Sequence, residues 1–153
     1  MTAVYDYRGP VADAVVAAKV RGARAGWPVL ADHLAARIDL HVAVDVVTWV
    51  TTGPKRVRDR GVDHAQILAQ RAGELLDAPC VKLLDAVDGA SDADQYRTRR
   101  RLPGTNVLLV DDVVTTGATA WRAAAALRAG GAGTVELAVI ARAGNHPLGA
   151  AHR

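Results

Sequence analysis

The feature that most constrains the fold of this chain is the segment NVLLVDDVVTTGATA at residues 106–120. It opens with an apolar run over residues 106–110, which is typical of a buried strand in a parallel sheet. Two acids, Asp111 and Asp112, follow, and a turn rich in Thr and Gly then leads into an Ala-rich helix over residues 116–129. A strand, a polar turn and a helix in this order predict an open α/β sheet, in which ligands bind beyond the carboxyl ends of the strands.

The rest of the chain alternates strands with helices, which predicts a mostly parallel sheet with helices on both of its faces. Gly22 and Gly26 are expected to break the chain. Residues 85–104 have no apolar period and predict a long mobile loop, and the tail at residues 144–153 is expected to be flexible. The remaining expected strands lie at residues 4–7 (an edge strand), 41–50, 80–84 and 135–140, and the remaining expected helices at residues 11–18, 30–38 and 67–76.

Length and composition narrow the class of protein. A chain of 153 residues with 50% hydrophobic and 23% charged residues predicts one globular domain over residues 1–153. The single cysteine, Cys80, excludes a disulfide framework and a Cys-rich zinc module. No apolar run is long enough to span a bilayer, and the first residues do not resemble a secretory signal. These features predict a soluble cytoplasmic protein without membrane insertion.

Positive charge is concentrated in two short segments rather than spread over the chain. The first carries Lys55, Arg56, Arg58 and Arg60, and the second carries four arginines within residues 97–101, although the net charge of the chain is only +3. Such concentration predicts binding sites for anions, while a solvated run of charges is the alternative for both segments. Aromatic residues make up 4% of the chain and Phe is absent, which weighs against a stacking platform for single-stranded nucleic acid.

The turn after the two acids has the chemistry of a sugar-phosphate site. Backbone N–H groups at a helix N-terminus, the helix dipole and nearby hydroxyls all favour a phosphate, and Gly117 allows the backbone to approach it closely. Asp111 and Asp112 can accept hydrogen bonds from the vicinal hydroxyls of a ribose. The competing interpretation is that the acids only cap the helix. The residues of the turn are Thr115, Thr116, Gly117, Ala118 and Thr119.

The same segment resembles the motif with which type I phosphoribosyltransferases bind 5-phosphoribosyl-1-pyrophosphate (PRPP). Within that superfamily the chain is similar to the ComF-like family, which is linked to competence and DNA uptake. Three further stretches carry the resemblance: YDYRGPVADAVVAAKVRG, PKRVRDRGVDHAQILA and TVELAVIARA. Together with the motif they cover most of residues 5–143. The resemblance implies a Rossmann-like type I phosphoribosyltransferase fold with a shortened hood at residues 85–104.

The resemblance also implies a role for each residue of the site. Asp111 and Asp112 would hold the ribose 2- and 3-hydroxyls, and Lys55 and Arg56 would bind pyrophosphate in the loop that follows the strand at residues 41–50. The metal implied is Mg²⁺, bound mainly by substrate oxygens and water, so no protein metal site is expected. The catalytic candidates are Asp111, Asp112, Lys55 and Arg56. The candidates for PRPP binding are Asp111, Asp112, Val113, Val114, Thr115, Thr116, Gly117, Ala118 and Thr119. The candidates in the pyrophosphate loop are Thr51, Thr52, Gly53, Lys55 and Arg56.

The chain departs from the family pattern at several places. It lacks the cysteines of the family's N-terminal zinc ribbon, and the RGFNQ signature is replaced by RGVDH at residues 60–64. Thr115 stands where purine-salvage enzymes of the superfamily carry a catalytic Asp, which argues against a purine transferase that uses this carboxylate as a general base. The sequence therefore does not identify the acceptor of the phosphoribosyl group.

Three classes of function are consistent with these features. The first is an enzyme that transfers the phosphoribosyl group of PRPP to a nitrogen acceptor. The second is a non-catalytic module that binds PRPP, a ribose 5-phosphate compound, a nucleotide or single-stranded DNA. The third is a subunit that forms a homodimer or docks on a competence helicase.

A few single residues have simpler interpretations. Trp27, Trp49 and Trp121 are expected to pack in the core, although Trp49 also lies close enough to the predicted site to line it. Cys80 is expected to be a buried small hydrophobe. His64, near the start of a helix, is expected to be an exposed polar residue rather than a ligand contact.

Overall fold

The computed structural model describes residues 2–6, 26–38, 43–51, 63–87, 89–91 and 94–143, which contain three helices and six strands. The helix expected at residues 11–18 and the whole first basic segment lie outside the described residues. The helices are α1 (Gly26–Arg37), α2 (His64–Leu75) and α3 (Ala118–Ala129). The strands are β1 (Thr2–Asp6), β2 (Val46–Trp49), β3 (Leu84–Ala86), β4 (Tyr96–Thr98), β5 (Asn106–Val114) and β6 (Thr134–Arg142).

Four of the strands form one parallel sheet in the order β1–β6–β5–β2. The register of the long central pair runs from Asn106 opposite Thr134 to Val114 opposite Arg142. Parallel sheets bury both of their faces under crossover helices, which explains why β5 begins as an unbroken apolar run. The predicted α/β architecture, a mostly parallel sheet flanked by helices, is therefore confirmed. The edge at which all four strands end is called the carboxyl edge below.

Helices cover both faces of the sheet and create two cores. Leu108 and Leu109 are neighbours in β5 and point to opposite faces, as the period of two requires. Leu108 packs with residues of α1 and α2, and Leu109 packs with Leu127 of α3. Among the helices of the described residues, none has the length and the apolar character that a membrane crossing requires.

The segment expected to be a long mobile loop instead contains an antiparallel hairpin. β3 pairs with β4, with Asp85 opposite Arg97, and the hairpin packs beside α3. Tyr96 and Leu102 are buried in the same core as α3. Strands of three residues are too short to show a period of two in the sequence. The loop prediction is wrong because contacts with the rest of the fold, rather than a local pattern, create these strands.

Several other boundaries differ from the expected ones. β2 occupies only the end of the strand expected at residues 41–50, and the strand expected at residues 80–84 is reduced to a bridge between Cys80 and Val47 before β3 begins. Helix α1 begins at Gly26, which was expected to break the chain. The side chain of the next residue, Trp27, is 1% exposed, and its burial holds the first turn of α1 in place.

The tryptophans have different environments. Trp27 and Trp49 lie in the core, as expected, at 1% and 6% exposure. Trp121 is 72% exposed on α3, so the expectation that it packs in the core is wrong. The buried side of α3 is formed by Leu127 and three alanines, and an Ala-rich helix shows too little contrast between its sides to reveal in advance which one is buried.

Candidate functional site

The two acids of the motif lie within β5, where that strand outruns its neighbour β2. β2 pairs with β5 as far as Trp49 opposite Val110, and the Val50 N–H donates to the Val110 carbonyl at 2.9 Å. β5 continues through Asp111 and Asp112, paired with β6. Both acids therefore border the position at the carboxyl edge where β2 has ended. The sequence pattern predicts that both acids follow the strand, because only the apolar part of β5 has a recognisable strand pattern.

Local hydrogen bonds orient both carboxylates. The Asp112 N–H donates to Asp111 Oδ1 at 2.8 Å, and the Val113 N–H donates to Asp112 Oδ1 at 2.6 Å. When one carboxylate oxygen accepts a hydrogen bond from the backbone, the orientation of the second oxygen is defined as well. A carboxylate with a defined orientation is suited to recognising hydroxyl groups. Neither acid caps α3, because Gly117 occupies the N-cap position and no side chain caps the helix. The interpretation of the acids as a helix cap is therefore wrong.

The turn from β5 into α3 presents the start of a helix at the same edge. Gly117 has φ = 81°, a left-handed conformation that glycine adopts without strain. The Ala118 N–H donates to Thr116 Oγ1 at 3.3 Å. Thr115, Thr116 and Thr119 are exposed, and the first turn of α3 contains no acid. The positive end of the helix dipole thus faces an exposed, hydroxyl-rich surface, which favours an anion.

Two buried threonines lie at the end of β2, and only one of them has a hydrogen-bond partner among the described residues. Thr48 Oγ1 accepts a hydrogen bond from the Leu83 N–H at 3.2 Å. Thr51 is 4% exposed, and its Oγ1 has no such partner. An unpaired buried hydroxyl destabilises a fold by about 1–3 kcal/mol. Because Thr51 comes directly after the last residue held by β5, its hydroxyl is a candidate contact for a ligand at the carboxyl edge.

The end of β2 is joined to the start of α2 by side chains. Trp49 Nε1 donates to Asp63 Oδ2 at 3.2 Å. The next residue, His64, stacks on Trp27 of α1 with ring centroids 4.4 Å apart and an interplanar angle of 13°. His64 is therefore half-buried against an aromatic ring rather than exposed as expected. Neither contact has a local signal in the sequence, since the partners are far apart along the chain.

The pyrophosphate-loop candidates lie mostly outside the described residues. Thr51 is described, whereas Thr52, Gly53, Lys55 and Arg56 are not. The structure brings Thr51 to the edge where the two acids lie, through the pairing of β2 with β5. The positions of the two basic candidates relative to the acids therefore stay predictions.

The second basic segment lies away from this edge. The Leu102 N–H donates to the Gly130 carbonyl at 2.8 Å, just after the C-terminal end of α3. A helix of this length measures about 18 Å, so Arg100 and Arg101 lie about a helix length from the start of α3. Arg99 forms an ion pair with Asp85 at 3.1 Å. The second basic segment, predicted either to bind an anion or to be a solvated run of charges, therefore does not lie beside the motif.

Among the described residues, the remaining titratable side chains do not form a second candidate site for catalysis or metal binding. No cluster of three or more His, Cys, Asp or Glu side chains that could hold a metal ion occurs there. Cys80 is half-buried rather than buried, and desolvation raises the pKa of its thiol to about 11. A neutral thiol of this kind is a poor nucleophile at neutral pH.

The fold and this edge define an open α/β protein whose candidate site combines two adjacent acids with the exposed start of a helix. A family model described as the phosphoribosyl transferase domain matches residues 13–149. That match spans most of the chain, so the chain belongs to the phosphoribosyl transferase domain family. No curated protein matches it.

Several solved structures share the fold. A hypothetical protein from Neisseria gonorrhoeae with bound ppGpp has a TM-score of 0.54 at 22% identity, over 82% of this chain and 75% of that one. The adenine phosphoribosyl transferase of Trypanosoma brucei, solved with AMP, pyrophosphate and ribose-5-phosphate, has a TM-score of 0.53 at 16% identity, over 82% and 56%. Glutamine PRPP amidotransferase from B. subtilis, complexed with ADP and GMP, has a TM-score of 0.53 at 24% identity. That alignment covers 72% of this chain but only 25% of the amidotransferase.

Proposed function

We propose that the protein binds PRPP at the carboxyl edge and transfers its phosphoribosyl group to a nitrogen acceptor. The observation that carries the proposal is the position of Asp111 and Asp112 just before the start of α3, at the edge where β2 has ended. Membership in the phosphoribosyl transferase domain family supports this type of reaction. The site residues and the acceptor are the parts of the proposal that need experiments.

In this proposal the acids bind the ribose and the turn binds the 5-phosphate. Asp111 and Asp112 accept hydrogen bonds from the 2- and 3-hydroxyls. The N–H groups at the start of α3 and the threonine hydroxyls of the turn donate to the phosphate, and the left-handed Gly117 lets the backbone approach it. Both groups of contacts lie at one edge, so one ribose 5-phosphate unit can engage them together.

The end of β2 contributes to the pyrophosphate. The Thr51 hydroxyl, which has no partner in the described part of the chain, donates to a pyrophosphate oxygen. The resemblance assigns Lys55 and Arg56 to the same group. Two cations and a buried hydroxyl suit a leaving group that gains negative charge as the bond to it breaks.

Mg²⁺ fits the donors at this edge. It is a hard cation that prefers oxygen ligands and keeps much of its water, and Asp111 and Asp112 supply two adjacent, partly buried carboxylates. Oxygens of the substrate and water would hold the ion beside these two carboxylates, whose acceptor oxygens face the ribose hydroxyls. The metal would neutralise charge on the departing pyrophosphate.

The reaction exchanges one bond at C1 of the ribose. The C1–O bond to pyrophosphate breaks and its electron pair leaves with the pyrophosphate. The acceptor nitrogen forms the new C1–N bond with inversion at C1 and gives up a proton. The protein contributes position and charge stabilisation rather than a covalent intermediate. Since Thr115 replaces the catalytic Asp of purine-salvage enzymes, the acceptor's proton passes to another base or to water.

The finer assignment within this proposal is to the ComF-like family, as a single cytoplasmic domain. The alternative is a non-catalytic ComF-like protein that binds a nucleotide or single-stranded DNA during DNA uptake, as a homodimer or docked on a helicase. Three exposed arginines of the second basic segment, Arg97, Arg100 and Arg101, favour contact with a phosphate backbone. The ppGpp bound to the N. gonorrhoeae protein makes a guanosine polyphosphate a further ligand to test.

Calorimetric titration with PRPP, with and without Mg²⁺, tests the proposal. Ribose 5-phosphate, a nucleoside monophosphate and ppGpp are titrated in parallel. Mg²⁺-dependent PRPP binding supports the proposal and justifies an acceptor screen that follows pyrophosphate release. Binding of nucleotide alone favours the non-catalytic alternative. Binding of single-stranded DNA that weakens steeply with salt would favour the DNA-binding alternative.

A double substitution, Asp111→Asn with Asp112→Asn, assigns the site. Asn keeps an Oδ1 that accepts the backbone N–H groups of Asp112 and Val113, so the strand geometry is retained while both charges are removed. PRPP binding is expected to be lost with little change in melting temperature. Asp45→Asn is the matched control, because Asp45 Oδ2 accepts the Asn106 N–H at the opposite end of β5. Unchanged PRPP affinity in the double variant would reject the site.

A further inference from the structure

The last residue of β6, Arg142, lies at the carboxyl edge beside the end of β5. The register places Arg142 opposite Val114, and the Ala143 N–H donates to the Val114 carbonyl at 2.8 Å. Neighbouring strands are separated by about 5 Å, so Arg142 lies next to the residue that leads into Thr115 and the turn before α3. Arg142 therefore lies at the same edge as the two acids of the motif.

Arg142 has no polar partner in the fold. It is partly exposed and forms no hydrogen bond or ion pair with the described part of the chain, although Asp6 of β1 is opposite it in the register. Arg71 and Arg99, in contrast, are each paired with a carboxylate. The positive end of the α3 dipole faces the same edge and makes an unpaired cation there unfavourable. The guanidinium is therefore available to an anion from outside the chain.

The direction of the displacement at C1 indicates which part of the reaction lies over the end of β6. In the proposed function the pyrophosphate lies at the end of β2, beside Thr51, and the acids of β5 bind the ribose. Inversion at C1 requires the acceptor nitrogen to approach from the side opposite the departing pyrophosphate. In the sheet, β2 and β6 lie on opposite sides of β5. The acceptor is therefore expected over the end of β6, where Arg142 is the last residue.

We propose that Arg142 binds an anionic group of the acceptor, so that the protein selects nitrogen acceptors that carry a carboxylate. This inference rests on the proposed function and names the class of its second substrate. A guanidinium forms two parallel hydrogen bonds with a carboxylate, which fixes the orientation of a planar acceptor. Thr115, the residue after Val114, contributes a neutral hydroxyl beside Arg142. A carboxylate at that position would repel an anionic acceptor, whereas a hydroxyl does not.

The proposal predicts that a carboxylate on the base controls the affinity for nucleotides. Nicotinate and nicotinamide mononucleotides differ only in carboxylate against amide, and orotidine and uridine 5-monophosphates differ only in the presence of a carboxylate. In at least one pair the carboxylate-bearing nucleotide is expected to bind about tenfold more tightly. Arg142→Gln is expected to remove this preference, and Arg142→Lys, which keeps the charge but not the paired hydrogen bonds, is expected to retain part of it. Affinity for ribose 5-phosphate should stay within about twofold of the wild type.

The experiment is calorimetry of the full chain with these four nucleotides, PRPP and ribose 5-phosphate, together with thermal unfolding of each variant. Arg128→Gln is the matched control, because Arg128 is an exposed arginine in the last turn of α3, at the far end of that helix from the carboxyl edge. This control is expected to keep the wild-type preference.

Two results overturn the proposal while leaving the proposed function intact. The first is wild-type protein that shows no preference in either pair, or a preference that survives in Arg142→Gln. The second is a loss of ribose 5-phosphate affinity in Arg142→Gln that equals the loss for the carboxylate-bearing nucleotide, which would assign the guanidinium to the 5-phosphate. Wild-type protein that binds neither PRPP nor ribose 5-phosphate rejects the proposed function itself, and this inference with it.

Discussion

Thr48 and Thr51 are both buried at the end of β2, but only the Thr48 hydroxyl has a hydrogen-bond partner among the described residues, the Leu83 N–H at 3.2 Å. Thr48 connects the sheet to the chain that leads into β3. Thr51 comes one residue after Val50, the last residue of this segment held by β5. The Thr48 hydroxyl therefore stabilises the fold, whereas the Thr51 hydroxyl is a candidate contact for a ligand.

Replacing Thr51 by Val tests this difference. Val has a similar shape and lacks the hydroxyl, so the unpaired buried group disappears. The free energy of unfolding is expected to rise by about 1 kcal/mol, while PRPP affinity falls because a donor to the pyrophosphate is lost. Urea unfolding and calorimetry measure the two quantities. A less stable variant with unchanged affinity would show that the hydroxyl has a structural role.

The same substitution at Thr48 is expected to have the opposite effect on stability. Thr48→Val removes the acceptor of the Leu83 N–H and leaves that buried donor unpaired. The free energy of unfolding should fall by about 1–3 kcal/mol, and PRPP affinity should change little. Urea unfolding of the two valine variants side by side checks the sign. Equal stability changes at both positions would contradict the contrast between them.

Gly117→Ala tests the left-handed turn before α3. At φ = 81° an Ala is strained, and the free energy of unfolding should fall by about 1–2 kcal/mol. The added Cβ would lie 3.7 Å from Val114 Cγ1, an ordinary contact, so the effect comes from the backbone and not from a clash. Affinity for ribose 5-phosphate is expected to fall with stability, because the backbone can no longer approach the phosphate in the same conformation.

Gly104→Ala is the control for this backbone effect. Gly104 has φ = 67° and open space around the position of a Cβ, and its N–H donates to Gly131 beyond the C-terminal end of α3. The strain is similar, but the position is remote from the candidate site. Stability should fall by a similar amount with unchanged ribose 5-phosphate affinity. An equal loss of affinity in both variants would mean that instability alone weakens binding.

Cys80 gives a prediction about pH. Burial raises the pKa of its thiol to about 11 from 9.0, so the folded protein resists deprotonation. The thiol's contribution to stability is complete below about pH 9 and is lost as the pH rises through about 11. At pH 8 a thiol reagent should label the native protein slowly and the denatured protein quickly. Cys80→Ala should lack the part of the alkaline stability loss that this thiol causes. Rapid labelling of the native protein at pH 8 would contradict the raised pKa of the thiol.

The parts of the fold with a strong local pattern were predictable. α2 has apolar residues at helical spacing, α3 is rich in the strong helix former Ala, and the apolar start of β5 is long enough to identify a buried strand. The acids Asp111 and Asp112 were placed at the correct edge, because a parallel sheet collects the ends of its strands on one side. The extension of β5 through the acids was missed, since pairing with β6 rather than side-chain pattern maintains the strand there.

The side-chain contacts depended on residues that are distant in sequence. The run RGVDH at residues 60–64 was visible in the sequence. Nothing in it indicated that Asp63 would accept a hydrogen bond from Trp49 or that His64 would stack on Trp27. The sequence also did not distinguish the buried Trp27 from the exposed Trp121.

The sequence by itself determined the α/β class, the main helices and strands and the edge that carries the two acids, because periodicity and residue chemistry act locally. The tertiary structure alone decided the β3–β4 hairpin, the burial of the Thr51 hydroxyl without a partner in the described part of the chain, and the connection between Trp49 and Asp63. Each of these depends on which distant groups come within a few ångströms of one another. Only the packed chain sets those distances.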